Sequence, residues 1–177
     1  MKKSKISKII NKKNRTPITC LTAYSKITAQ LADKYCDIIL VGDSLGMVLY
    51  GMKSTKEVKI ETMILHCKTV KKYAKKSLVV FDMPYKTYKN KFIAYENAKK
   101  VIKATKCDAV KLEGGKEISN IINYLTEKGI PVMGHVGLLP QSSNNFRVKG
   151  RNFLQSKKIF DDALSISNSG VFAIVLE

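Results

Sequence analysis

Six short apolar runs recur along the chain: ITCLTAY (18–24), DIILVGDS (37–44), SLVVFDMP (77–84), DAVKLEGG (108–115), PVMGHVGL (131–138) and VFAIVLE (171–177). Each is continuously apolar rather than alternating, the pattern of a strand buried on both faces. The segments between them carry a helical period instead. Ile27, Leu31 and Ala32 make one stripe in SKITAQLADKY, and Met63, Ile64, Cys67 and Val70 make another in IETMILHCKTVKKYA. AYENAKKVIKAT and EISNIINYLTEKG read the same way. Gly129 and Gly170 follow the last periodic residues of two such segments, where a left-handed C-terminal cap is expected. Strands alternating with helices predict an α/β protein of repeated βα units round a parallel sheet.

Two architectures satisfy that pattern, a doubly wound open sheet and a (β/α)8 TIM barrel. The polar residues decide between them. Nearly every predicted strand ends, at its C-terminal side, on a reactive group: Asp43 with Ser44, Asp82, Lys111 with Glu113, His135, and Glu177. A barrel gathers its strand C-termini round one mouth, whereas an open sheet spreads them along a line. No G-x-G-x-x-G follows the first strand and no G-x-x-x-x-G-K-[ST] occurs, which argues against dinucleotide-binding and P-loop folds. The expectation is one (β/α) barrel domain over residues 1–177, with a short, basic, partly helical lead-in at 1–16. A complete barrel takes about 250 residues. Six strands in 177 residues would leave it two strands short, with Glu177 at the tip of strand six and strands one and six as unpaired edges.

Composition adds a class and removes others. Hydrophobic residues make up 45% and charged residues 26% of the chain, a globular balance. No apolar run approaches the ~20 residues of a membrane span, and MKKSKISKIINKKNRTP has no apolar core or cleavage site of a secretory signal. Cys20, Cys36, Cys67 and Cys107 are widely spaced without a C-x-x-C, which reads as free thiols in a reducing cytoplasm. The net charge of +18 raises a nucleic-acid role. Only three of the 32 basic residues are arginine, however, and the lysines are spread over predicted helix faces. Solvated helix faces are the better reading.

At the strand ends, Lys111 and Glu113 are two residues apart and so share a strand face. Asp43, Asp82 and Glu113 make an all-oxygen set suited to a hard divalent ion, Mg2+ before zinc. With only His66 and His135 in the chain, histidine is too scarce for a zinc site. Each residue also has a structural reading. Asp43 could cap the following loop, Asp82 could form a turn, Glu113 could be the ion partner of a buried Lys111, and His135 could be a satisfied core histidine. His66 lies on a Lys-rich helix and reads as structural. What favours chemistry is their joint occurrence at successive strand ends.

The ordered series TAY, DIILVGDSLGMVLYG, FDMPY, AVKLEGG, GIPVMGHVGLLPQS, VKGR and FAIVLE resembles the ketopantoate hydroxymethyltransferase family. The resemblance runs from about Lys8 to Glu177. It implies a barrel of the phosphoenolpyruvate/pyruvate type that transfers a hydroxymethyl group from 5,10-methylenetetrahydrofolate to 3-methyl-2-oxobutanoate, in pantothenate biosynthesis. It implies Mg2+ at Asp43 and Asp82 with Glu113 near it, the 2-oxo acid held by Asp43, Ser44, Asp82 and Lys111, a Mg2+-stabilised enolate, and Glu177 as proton acceptor. His135 is a possible further participant. It also implies a homo-oligomer, a decamer of pentamer rings, with no membrane partner. Three departures stand out: Ser25 where the family usually carries aspartate, Leu139 where threonine is usual, and NNFRVKGR in place of a glycine- and tyrosine-rich loop. Competing readings are an inactive remnant of that enzyme, another Mg2+-dependent 2-oxo acid aldolase or lyase, and, last, a basic nucleic-acid-binding domain.

Overall fold

The computed structural model describes residues 4–143 and 146–177. Six parallel strands form one sheet: β1 (Cys20–Thr22), β2 (Ile38–Val41), β3 (Leu78–Asp82), β4 (Ala109–Glu113), β5 (Val132–Val136) and β6 (Ala173–Leu176). Their order in the sheet is their order in the chain. A doubly wound sheet reverses direction at a switch point; this sheet does not, so it is the barrel topology. Among the described residues β1 pairs only with β2, and β6 only with β5. The helices are α1 (Lys5–Ile10), α2 (Lys26–Tyr35), α3 (Leu45–Tyr50), α4 (Ile60–Tyr73), α5 (Lys91–Thr105), α6 (Ser119–Glu127) and α7 (Phe153–Asn168).

The period-2 alternation of the strands separates two cores. Ile39, Val41, Val79, Phe81, Val110, Leu112 and Val132 point outward and pack with the helices. Ile38, Leu78, Val80, Ala109 and Met133 point inward, joined by Ala173 and Val175. Continuing each inward row in steps of two reaches Asp82 in β3, Lys111 and then Glu113 in β4, His135 in β5 and Glu177 just past β6. The interior is therefore apolar at its N-terminal end and polar at its C-terminal end.

The stripe expected in α4 is observed, with Met63, Ile64, Cys67 and Val70 all buried. The stripe expected in α2 is not. Of that stripe only Ala32 is buried; Ile27 and Leu31 are exposed, and Ala29 is buried beside Ala32. The cause is position: α2 packs on α4 and β2, and its other flank lies beyond the edge strand β1. The basic lead-in is also more than a lead-in. Its helix α1 places Ile6 and Ile9 in the inner core, and Lys5 Nζ donates to the Ser77 carbonyl at 2.7 Å. Gly129 and Gly170 adopt φ of +76° and +91°, the expected left-handed caps.

One polar clamp joins the outer layer to the sheet. Asp33, in α2, accepts the backbone N–H groups of Lys75 at 2.9 Å, Lys76 at 2.9 Å and Ser77 at 2.7 Å. Burial pushes its carboxyl upward, but these donors outweigh burial and hold it below the usual range. Its contribution is therefore present above the unfolded-state pKa of about 3.9 and lost as pH falls through the depressed folded value. Asp33→Asn is expected to cost about 1–3 kcal/mol at neutral pH. Urea titrations should show the gap between wild type and variant closing in acid; a gap independent of pH would contradict the clamp.

Candidate active site at the strand ends

Register brings the inward residues side by side. Asp82 is the pairing partner of Lys111, and Glu113 that of His135. Lys111 Nζ donates to Asp82 Oδ2 at 2.7 Å and lies 3.6 Å from Glu113 Oε1. His135 Nδ1 is 3.4 Å from Glu113 Oε1, and its Nε2 is 3.2 Å from Glu177 Oε2. Neither approach has hydrogen-bond geometry, so both ring nitrogens remain unsatisfied in a residue only 2% exposed. The groups form one continuous line, Asp82–Lys111–Glu113–His135–Glu177, across β3 to β6.

Asp43 and Ser44 follow β2 and complete the set. The Asp43 backbone N–H points at Asp82 Oδ2 at 3.4 Å, and the Ser44 hydroxyl bonds the Tyr24 hydroxyl at 2.8 Å. Two further residues enter that sequence reasoning did not single out. Gln141, 3% exposed in the loop after β5, donates its amide to Asp43 Oδ2 at 2.8 Å and its backbone N–H to Glu113 Oε2 at 3.0 Å. Tyr88, after β3, donates its hydroxyl to Gln141 Oε1. Neither carries a charge, and Gln141 lies 98 residues from Asp43; the one available signal was its place in the GLLPQS run.

Glu177 is held from both sides. Its N–H donates to the Val136 carbonyl at 3.2 Å, and its carbonyl accepts from Leu138 N–H at 2.8 Å. Gly137, at φ +99°, makes this approach possible, because a Cβ there would collide with the Glu177 carbonyl oxygen. Its side chain remains about half exposed, reachable from the mouth. His66 is elsewhere, bonded to the Tyr24 carbonyl at 2.7 Å and the Tyr50 hydroxyl at 2.8 Å.

The electrostatics are those of a site with too much negative charge for its one lysine. Burial and the charge of Asp82 push the Asp43 carboxyl up to about 7. Burial opposes the charge of Lys111, but Asp82, Glu113 and Asp43 outweigh burial and keep it protonated, with its pKa raised. Burial likewise opposes Glu113, but His135, Lys111 and the Gln141 amide hold it below the usual range. Asp82 Oδ1 is buried and has no hydrogen-bond partner. A carboxylate oxygen without a partner, beside a second carboxylate pushed toward its neutral form, is a donor set that could hold a cation.

All three carboxylates of the expected metal set, Asp43, Asp82 and Glu113, are buried at the C-terminal ends of the strands. Among the described residues no three acidic, His or Cys side chains gather to hold a metal. As the side chains stand, Glu113 faces Gln141, Lys111 and His135, and the Asp43 N–H faces Asp82. A cavity of about 380 Å3 adjoins the site, bounded by Tyr85, Tyr88, Glu113, Ile118, Ile121 and Gln141.

The departures have local accounts. Ser25 is the N-cap of α2 in a capping box with Thr28, a position that serine and aspartate fill equally well. Leu139 is half-buried, and its carbonyl accepts from the N–H groups of Ser142 and Ser143. Of the loop NNFRVKGR, Asn144 and Asn145 lie outside the described residues, and Phe146 and Val148 are exposed.

The same architecture occurs in solved structures. A phosphonopyruvate hydrolase in complex with oxalate and Mg++ superposes with a TM-score of 0.75 over 99% of this chain and 63% of its own, at 12% identity. A 2,3-dimethylmalate lyase of the PEP mutase/isocitrate lyase superfamily gives 0.68 over 98% and 61%, at 10% identity. At such identities the likeness concerns the fold alone. Sequence relatives carry more. The 3-methyl-2-oxobutanoate hydroxymethyltransferase of Pelagibacter ubique (strain HTCC1062) is 54% identical over 173 residues, 98% of this chain and 67% of that protein. That of Bartonella tribocorum (strain CIP 105476 / IBS 506) is 49% identical over 175 residues, 97% of this chain and 65% of that protein. The chain thus spans about two thirds of the length of these relatives. The family profile described as ketopantoate hydroxymethyltransferase matches residues 3–177. With a match along almost its whole length and about half its residues shared with such relatives, this chain belongs to the ketopantoate hydroxymethyltransferase family.

Proposed function

We propose that this chain carries the site that deprotonates 3-methyl-2-oxobutanoate and delivers its C3 carbon to the one-carbon unit of 5,10-methylenetetrahydrofolate. The observation that carries the reading is the line of groups from Asp82 to Glu177, with Asp43 and an unsatisfied Asp82 Oδ1 at one end. Asp43 and Asp82 would hold Mg2+, which commonly takes one or two protein carboxylates and fills its remaining positions with water and substrate. Bound there, it would polarise the ketone of the 2-oxo acid.

The chain's own residues do the rest. Lys111 supplies fixed positive charge for the substrate carboxylate and the oxygen that gains charge as C3 ionises. Glu177, half exposed at the mouth, takes the C3 proton onto a carboxylate oxygen. His135 lies between Glu177 and Glu113, within reach of both carboxylates. Water takes the one-carbon unit from the carrier, both carbon–nitrogen bonds breaking as tetrahydrofolate leaves, and the C3 carbanion adds to the resulting formaldehyde-level carbonyl carbon, whose oxygen takes up a proton to give the hydroxymethyl product.

The test is exchange of the C3 proton of 3-methyl-2-oxobutanoate in D2O, followed by NMR. Exchange should require Mg2+ and proceed without folate; none at any Mg2+ concentration would sink the reading. Because Asp43 titrates near 7 without metal, proton and cation compete for it. Mg2+ affinity is expected to rise from about pH 6 to about pH 8 with release of a proton, measurable by calorimetry in buffers of different ionisation enthalpy. A pH-independent affinity would remove Asp43 from the cation site.

A further inference from the structure

Gln141 is a neutral residue at the centre of a charged site, and it touches more elements than any charged member does. Its side-chain NH2 donates to Asp43 Oδ2 at 2.8 Å and to the Met83 carbonyl at 3.0 Å. Its backbone N–H donates to Glu113 Oε2 at 3.0 Å. One residue thus ties the ends of β2 and β3, through its side chain, and of β4, through its backbone N–H, to the loop after β5. The amide has a single orientation that works. The Met83 carbonyl can only accept, so the NH2 must face it and Asp43 beside it, and the amide oxygen must face Tyr88.

Tyr88 closes the arrangement. Its hydroxyl accepts from Glu113 N–H at 3.3 Å and donates to Gln141 Oε1. Burial and the charge of Glu113 raise its pKa, so the proton it donates stays on the hydroxyl. The result is a directed chain, Glu113 N–H to Tyr88 O–H to Gln141 to Asp43, in which each bond polarises the next. On its far side Tyr88 and Gln141 form part of the wall of the 380 Å3 cavity. They separate that space from the aspartates.

We propose that Gln141 is a positioning residue: it takes one oxygen of Asp43 and thereby aims the other, with Asp82 Oδ1, at the cation, while Tyr88 fixes Gln141. The proposal rests on the two-aspartate cation site proposed above. Glutamine suits this task because it supplies donors without charge. A lysine there would compete with the cation, and a glutamate could not donate to Asp43.

The test is Mn2+ binding to the full chain, read from the free-ion EPR signal without substrate. Gln141→Met keeps the volume and loses the donors; its affinity is expected to fall about 10- to 100-fold, the usual cost of removing an outer partner of a metal ligand. Tyr88→Phe leaves Gln141 in place and should weaken binding in the same direction by less. Gln141→Glu adds a negative charge, which on charge alone would strengthen binding; weaker binding is expected because Asp43 is repelled instead of held. Wild-type affinity in Gln141→Met and Tyr88→Phe, or tighter binding in Gln141→Glu, overturns the proposal. If Gln141→Met does not fold, Tyr88→Phe and Gln141→Glu decide. A wild-type chain that takes up no Mn2+ overturns the cation site itself, a result distinct from variants that match a wild type that binds.

Discussion

Replacing Lys111 by methionine is expected to destabilise the fold on the order of 3–5 kcal/mol, the range for removing one partner of a buried ion pair. Lys111 and Asp82 have side chains 5% and 2% exposed, with 2.7 Å between Nζ and Oδ2. Methionine keeps the length and the packing of the stem. What it removes is the single cation among Asp82, Glu113 and Asp43. Those carboxylates can answer only by taking up protons, so the sign of the pH dependence follows. In acid the site is relieved by protonation and the loss is small; as pH rises the loss grows. Urea unfolding at about pH 5 and about pH 8 separates this from a packing defect, which would be equal at both. Equal losses, or none, would mean that Lys111 does not balance the carboxylates. Proton exchange of the 2-oxo acid should be lost as well.

Glu177→Gln is expected to slow C3-proton exchange by roughly 100- to 10,000-fold, the span of a general base. Binding of 3-methyl-2-oxobutanoate should remain, because the oxo-acid contacts are assigned to Asp43, Ser44, Asp82 and Lys111. Stability should hardly change. The side chain is 49% exposed, and its backbone bonds to Val136 and Leu138 survive the substitution. This pairing of lost exchange with retained binding and fold isolates proton abstraction. Undiminished exchange would take the role of base from Glu177. Binding lost together with exchange would instead give Glu177 a part in holding the substrate.

Much of this site was legible because a strand has a period of two. Lys111 and Glu113 had to share a face, and the row Leu78, Val80, Asp82 had to change from apolar to acidic on one face. The chain order of the sheet followed from polar residues at every strand end, which only a shared mouth makes economical. The α2 stripe was misread because periodicity reports that a helix has faces, not which face meets a neighbour. Helix α2 meets α4 and β2 with the face that carries Ala29 and Ala32, which leaves Ile27 and Leu31 exposed. Residue type shows that Glu113 can face a cation; its contacts with Gln141, Lys111 and His135 are visible only in the fold.

The sequence by itself determined the strands, their parallel arrangement, the barrel order and the identity of nearly every charged group at the mouth. Periodicity and residue chemistry are local properties, and they survive without knowledge of the fold. Only the tertiary structure decided which charges pair, that Gln141 reaches Asp43 across 98 residues of chain and joins it with Tyr88 to Glu113, and that Asp82 keeps one oxygen free of partners. Those facts depend on distances across the barrel mouth. Register, loop path and burial fix such distances together, and no single stretch of sequence contains them.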